Sequence, residues 1–410
     1  QRHVTIFLYD EQNQTTGEAS FMVTSGDSEE DIQQEIDEAL IIANTQKNNP
    51  LHRLPTPEDQ PVDDQHIDYV NLQDLRFHTD FKSGNLLLFL NGKLALLHRM
   101  IKDAQEPGIT LYLNSLELFN TLRYETIKTS QGINKSFSTQ SAYLEMILSA
   151  RDQKSGEERE HILYEPIANL YEYDFHRSFE RHISYTKDAL RATNTPSHAG
   201  QVVLSGSAAK DFFVPDLTYS PFIGHCSARL QYAGISRFKR HEDIVKDAKE
   251  NLSISLNPLR TDAYAQPFDR FGIAGRRIDL IANNRCLSYF GEKRYMEYLN
   301  EAPNGPPGIV EVNSGKNPYE ELFGEEDTIE IITFSSFVPD MTSGTVSAEI
   351  RFGYLHSKNG EKQPITGGLF SANLFTLLTS MRKSREEQKT PGYVGPYAIA
   401  FPDGEIHGEK

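Results

Sequence analysis

The sequence predicts an α+β protein. An N-terminal α/β half with hairpins and two or more helices precedes a C-terminal half of mostly antiparallel strands, closed into a barrel-like or sandwich arrangement. Three observations predict this. Alternating segments and helical spacings interleave up to about residue 195; the stretch Thr195-Pro196-Ser197-His198-Ala199-Gly200 then interrupts all periodicity; and beyond it short strands and Gly/Pro turns dominate. The expected domains are residues 1–197 and 198–410, and a chain of 410 residues is long enough for each to bury its own core.

Val4 to Tyr9 and Glu18 to Thr24 read as strands joined by a polar turn around Gln12 to Gly17. Ser28 with Asp31 forms a capping-box pattern, after which Ile32, Ile36, Leu40 and Ala43 follow helical spacing toward Asn48. Leu51 to Asp64 carries prolines at 55, 57 and 61 without periodicity and reads as a surface connection. Leu86 to Leu90 is a short apolar run, the length of one buried strand, and Asn91 to Ala104 is helical, with Leu94, Leu97 and Ile101 on one side. A long hairpin is expected over Leu116 to Leu148, turning at Ser130 to Asn134, with Arg151 to Glu160 an exposed loop. Asp174 to Ala192 is the next helix, carrying Phe175, Phe179, Ile183 and Ala189 at compatible spacing. Near the C-terminus Val346, Ala348, Ile350 and Phe352 alternate with Ser347, Glu349, Arg351 and Gly353, the period of a half-buried strand; Asn359-Gly360 marks a tight turn. From Leu369 the spacing turns helical, with Leu374, Leu377, Leu378 and Met381 on one face.

Composition excludes several partners. A net charge of −17 argues against direct binding of nucleic acid or an anionic membrane, and Arg237 to His241 is too short a basic cluster to reverse it. No apolar run approaches the roughly eighteen residues of a membrane span, and no signal peptide is visible. Two cysteines, Cys226 and Cys286, are too few for a disulfide framework and fit a reducing cytoplasm. There is no G-x-x-x-x-G-K-[ST] and no G-x-G-x-x-G after a strand, so no phosphate-cradling loop is expected.

Four stretches carry a family resemblance. They are Gly200 to Ala209; Pro267 to Gly272 with Arg276 to Ile281; Glu311 to Gly315 with Tyr319 to Leu322; and Thr333 to Ser380 with its strand, Asn-Gly turn and helix. Their order and spacing resemble the TldD/PmbA family of cytoplasmic bacterial proteins, once described as modulators of DNA gyrase and now linked to metallopeptidase activity and peptide maturation. In the catalytic branch an H-E-x-x-x-H helix follows the opening strand of the second domain, and a cysteine near the C-terminus completes a zinc site. Two imidazoles on one helix face hold the metal while the glutamate activates its water. Here Lys210 to Pro221 contains no histidine and has prolines at 215 and 221, and Thr390 to Pro396 contains no cysteine. The resemblance therefore implies a chain like the metal-free PmbA (TldE) branch. It would have no catalytic residue and no zinc of its own, and would pair with a zinc-bearing TldD-like subunit to act on unfolded peptides. The alternative is a stand-alone homodimer that binds peptides or other partners without peptidase activity.

Residue-level candidates follow. Asp340, Thr342, Ser343 and Gly344 form a turn that could face an extended substrate, against the plainer reading of a strand connection. His225-Cys226 pairs a nucleophile type with a base type, but neighbours on a strand point to opposite faces; a buried thiol beside a hydrogen-bonded histidine is the simpler account. His241-Glu242 begins like a zincin motif, yet Val245 and Lys246 stand where a second ligand would be needed, so a surface turn is expected. Asp269, Asp279, Glu311, Asp340 and Glu349 offer carboxylates for acid–base work, but sequence brings no two of them together. A third reading, an independent hydrolase built on these acids or on His225 and Cys226, ranks last because no nucleophile, base and orienting group can be assembled.

Overall fold

The computed structural model describes residues 2–47, 49–59, 84–167, 170–215, 219–260 and 265–408. The chain opens with a hairpin of β1 (Arg2–Asp10) and β2 (Thr15–Val23), whose edge is joined by the short β3 (Asn49–Pro50). Helix α1 (Glu29–Thr45) is started by the capping box expected from Ser28 and Asp31, and lays Ala39 and Ala43 on Ala19 and Phe21. Gly17 makes that approach possible, since a Cβ there would lie 1.8 Å from the carbonyl oxygen of Ala43. Residues 60–64 of the expected proline-containing connection lie outside the described residues.

Helix α2 (Asn85–Asp103) begins earlier than its periodicity suggests. The run Leu86 to Leu90 forms its first turns and is not a strand: Leu86 is buried while Leu87 and Leu88 are exposed, a one-sided pattern that only a helix produces here. The long hairpin consists of β4 (Ile109–Lys128) and β5 (Asn134–Asp152), and β6 (Glu158–Ile167) completes a three-stranded sheet. The expected exposed loop thus shrinks, because residues 151–152 and 158–160 continue the ladder. Leu144, Met146 and Leu148 of β5 pack on α2 and on α3 (Phe175–Leu190), which Asp174 caps through a bond from the Arg177 amide. The hairpin tip reaches the second half of the chain: Lys135 Nζ donates to the Gly272 carbonyl at 2.9 Å, and the Phe137 and Phe268 rings meet edge-on at 4.9 Å.

The C-terminal half contains two large sheets. The strands are β7 (Thr193–Asn194), β8 (His198–Ser205), β9 (Ile254–Asn257), β10 (Ile278–Ala282), β11 (Arg285–Cys286), β12 (Ile309–Val312), β13 (Thr328–Phe334), β14 (Thr345–His356), β15 (Lys362–Thr366), β16 (Leu369–Asn373), β17 (Arg382–Lys383), β18 (Glu387–Thr390), β19 (Tyr393–Pro396) and β20 (Ala398–His407). Strands β13, β8, β20, β16 and β14 follow one another, and β14 pairs back onto β13, so these five close into a barrel. A second sheet runs β11-β10-β9-β12-β19-β18. Most pairings are antiparallel as expected; β8–β13, β12–β19 and β7–β15 are parallel. One apolar core joins the barrel lining, including Val202, Leu204, Ile329, Ile350 and Phe401, to Ile254, Leu256, Leu280 and Val310 of the second sheet. β14 alternates as read from sequence, with Val346, Ala348, Ile350 and Phe352 buried. Residues 369–373 are strand β16 and not the start of a helix; only Leu374–Ser380 is helical, capped by Asn373, whose side chain accepts from the amides of Phe375 and Thr376.

Candidate functional site

Barrel strand β8 leads directly into α4 (Ser207–Phe213), so this short helix occupies the place where the resemblance would put a metal-binding one. It ends at Val214, before Pro215, and the next turn, α5 (Pro221–Gly224), carries its proline at the first helical position, where no amide donor is lost. Residues 216–218 lie outside the described residues. Ala208, Ala209, Phe212 and Phe213 are all fully buried. Phe212 stacks obliquely on Phe222 and Phe401 at 5.4 and 5.3 Å, and Phe213 lies parallel to Tyr393 at 5.9 Å. An imidazole or thiolate would need a polar, open position here; the buried face of this helix, Ala208, Ala209, Phe212 and Phe213, offers no ligand atom and does not fit a zinc ion.

Two sequence candidates converge nearby. His225 caps the C-terminus of α5, and Cys226 follows in a turn, so the pair does not sit on a strand as the sequence reading assumed: Pro221 starts a helical turn instead. His225 is 1 % exposed; its Nδ1 accepts from the Arg237 amide at 3.2 Å, which places the ring proton on Nε2. That nitrogen has no hydrogen-bond partner of good geometry and faces the main chain of Met341 and Thr342, inside the turn singled out by sequence. Burial, and then the charge of Arg237, push the His225 pKa down. The Arg237 guanidinium covers the Phe375 ring at 4.4 Å. Asp340 Oδ1 accepts from the amides of Thr342 and Ser343 at 3.1 and 2.6 Å, bonds that hold its carboxyl below the usual range. Asn373 Nδ2 donates to the Ser343 carbonyl at 2.8 Å, and Gly344 adopts φ +75° with its Cα against Phe375. The side chains of Thr342 and Ser343 remain exposed.

Cys226 has other partners: its sulfur lies 3.7 Å from the Phe222 carbonyl and 3.9 Å from Cys286 Sγ. The neighbouring thiol and burial hold Cys226 well above the ordinary thiol range. A neutral His225 with both ring nitrogens turned toward backbone, and a protonated buried thiol, make no nucleophile–base pair. His241 is an exposed turn residue at φ +66°, as its sequence context suggests.

The acids behave differently from one another. Asp279 and Glu311 are brought together, around one arginine: Arg277 lies 2.7 Å from Asp279 and 3.2 Å from Glu311. Glu311 also accepts from Asn257 and Arg260 at 3.1 Å each, and its pKa is lowered because these bonds outweigh burial. Both carboxylates are thus held in ion pairs with arginine. Sequence reasoning missed Glu330, on β13. It is 1 % exposed, accepts from Ser205 at 2.6 Å, His356 Nε2 at 2.9 Å and the Tyr319 hydroxyl, and lies 3.8 Å from Lys362 Nζ. Burial would raise its pKa, yet the bonds from His356, Ser205 and Tyr319 win and lower it. The only sequence signal was a lone acid at the third position of a strand otherwise built of isoleucine, threonine and phenylalanine, TIEIITF.

Residues 198–407 match the family described as the PmbA/TldA metallopeptidase C-terminal domain. Among solved structures the chain is similar to a proposed modulator of DNA gyrase from Bacteroides thetaiotaomicron, with TM-score 0.74 and 17% identity over 99% of this chain and 88% of that one. It is similar to TldE from Thermococcus kodakarensis, with TM-score 0.72 and 16% identity over 96% and 88% of the two chains. A proposed modulator of DNA gyrase from Thermotoga maritima superposes with TM-score 0.70 and 14% identity over 98% and 89%. No curated protein matches the sequence.

Proposed function

Given that the chain belongs to the TldD/PmbA metallopeptidase family, we propose that it is a non-catalytic member, pairing with a separate zinc-bearing TldD-like subunit to make a cytoplasmic peptidase for unfolded peptides. The observation that carries this reading is α4: at the place of the family's metal helix, Phe212 and Phe213 are locked into the barrel core. Similarity to a TldE structure along nearly the whole chain supports it. In this reading the chain divides near 197/198, and its second half closes the reaction chamber and holds substrate in extended form. Strand β18, the last in the order of the second sheet, is a main-chain surface of the kind that grips extended peptides irrespective of sequence. The Asp340 to Gly344 turn, with Thr342 and Ser343 exposed, is the substrate-facing segment.

The test is zinc content and peptidase activity on an unfolded peptide, for the purified chain and for the chain co-expressed with a TldD-like subunit. Zinc and proteolysis only in the mixed complex are the expected result. A stable homodimer that neither binds the second subunit nor supports proteolysis overturns it in favour of a stand-alone peptide-binding protein. Stoichiometric zinc in the chain alone overturns it altogether.

A further inference from the structure

The three-stranded sheet buries one face against α2 and α3; on the other, Phe137 near the hairpin tip packs on Phe268, while the stretch around Phe119 and Tyr164 is left about half-exposed among the described residues. Strand β5 shows the division: Ala142, Leu144, Met146 and Leu148 are buried, whereas Tyr143, Glu145 and Ile147 between them point outward and are only half-buried. Register fixes what lies beside them. Glu117, Glu145 and Tyr164 form one row across β4, β5 and β6, and Phe119, Tyr143 and Pro166 form the next. The rings make a continuous stripe, with Phe119 and Tyr143 centroids 6.0 Å apart and Tyr143 and Tyr164 6.1 Å apart at an interplanar angle of 17°. Phe119 is 49% exposed and Tyr164 51%.

This face departs from ordinary surface in two respects. Aromatic rings aligned across three strands, two of them about half-exposed, form one continuous patch, where scattered exposure is the norm. Glu117 and Glu145 stand directly opposite each other, an arrangement that costs stability in a sheet, and neither makes an ion pair among the described residues. Two cations further along the same face are engaged elsewhere: Arg123 pairs with Glu125, and Lys135 donates to the Gly272 carbonyl. Negative ring faces beside two unneutralised carboxylates are complementary to one kind of group, a side-chain cation.

We propose that this half-exposed patch is a docking surface for an extended, lysine- or arginine-rich peptide, which seats a cationic side chain over Tyr143, between Phe119 and Tyr164, with its charge against Glu117 and Glu145. The inference goes beyond the two-chain reading and does not depend on it, because binding is read on the purified chain alone.

The experiment follows fluorescence anisotropy of a labelled, unstructured lysine-rich peptide and of a glutamate-rich one of equal length. The full chain is compared with Tyr143→Ala, Tyr164→Ala and the double variant Glu117→Gln/Glu145→Gln. Because the whole chain is acidic, Glu29→Gln/Glu30→Gln on α1 serves as the remote control. The lysine-rich peptide is expected to bind and the acidic one not. Each face variant should weaken binding about five- to tenfold, and the remote variant should leave it unchanged. The glutamine pair is isosteric and neither site is in the core, so it keeps the test valid if a tyrosine variant fails to fold. Equal weakening by the remote pair reduces the effect to bulk charge and overturns the proposal. So does absence of binding accompanied by self-association that the tyrosine variants abolish, which would give the face to a second copy of the chain.

Discussion

The two faces of the barrel solve the same burial problem with opposite chemistry. Inside, β8, β13, β14 and β20 meet the second sheet and α4 through a mainly hydrocarbon core, and the α4 phenylalanines pack among Phe222, Tyr393 and Phe401. Outside, the same β8 and β13 bury Ser205 and Glu330 against Tyr319, His356 and the residues of α3. A hydrocarbon core is graded: it loses stability in proportion to volume removed. A buried carboxylate held by three donors is all-or-none, since any missing partner leaves charge or dipole unpaired in a poor solvent.

The largest expected effect is on the apolar side. Phe213→Ala should cost about 4 kcal/mol in urea unfolding, with an unchanged dependence on denaturant. A loss below about 1 kcal/mol would mean that α4 is loosely packed, and would remove the argument against a metal helix there. On the polar side Glu330→Gln keeps the shape and removes the charge, and should cost about 2 kcal/mol. If Glu330→Gln proved neutral, the two faces would not differ in the way argued.

Acid should separate the faces further. His161 and His182 stack at 5.4 Å where β6 meets α3. Burial first, then Arg351 and Arg181, push His161 to about 4; burial first, then His161 and Arg181, push His182 to about 2. Both folded values lie below that of a free histidine, so the unfolded chain takes up protons first. Their contribution is intact above about pH 6.5 and is lost as pH falls toward the folded values, by about 1.4 kcal/mol per pH unit for each proton. Glu330, also depressed, adds its loss only below the ordinary carboxylate range. Stability curves from pH 7 to 4 should be steeper for the native chain than for His182→Phe, and equal slopes would remove the histidine pair from the account. Gly344→Ala, strained at φ +75° and pressed on Phe375, should cost about 2 kcal/mol by the same measurement. The smallest effect is chemical: Cys226 and Cys286, both fully buried, should react with a thiol reagent only after unfolding.

What sequence revealed divides along the same line. Patterns with one dominant face were legible: the alternation of β14, the capping box of α1 and the hairpin of β4 and β5 all appear where periodicity places them. Two of the errors fall on segments too short to fix their own period. Leu86 to Leu90 and residues 369–373 carry no decisive period, and their flanking contacts, not their own pattern, choose helix for one and strand for the other. The aromatic filling of α4 follows from the absence of histidine that sequence already showed. The approach of His225 to Met341 and Thr342, and the convergence on Glu330 from β8, β14 and the Tyr319 turn, join residues more than a hundred positions apart in part, and no local rule anticipates them.

Barrel closure also dictates an order of events during synthesis. β8 hydrogen-bonds to β20, pairing Val202 with Phe401, and to β13, pairing Val203 with Glu330. A chain emerging from the ribosome therefore holds β8 with both edges unsatisfied until β13 has been made, and with one edge unsatisfied until β20 begins at Ala398, almost two hundred residues after β8. High contact order of this kind slows folding and leaves an adhesive strand exposed for seconds. Ribosome-bound fragments ending before residue 398 should be the species that aggregates or recruits chaperones, and the barrel edge is protected only once β20 has been made.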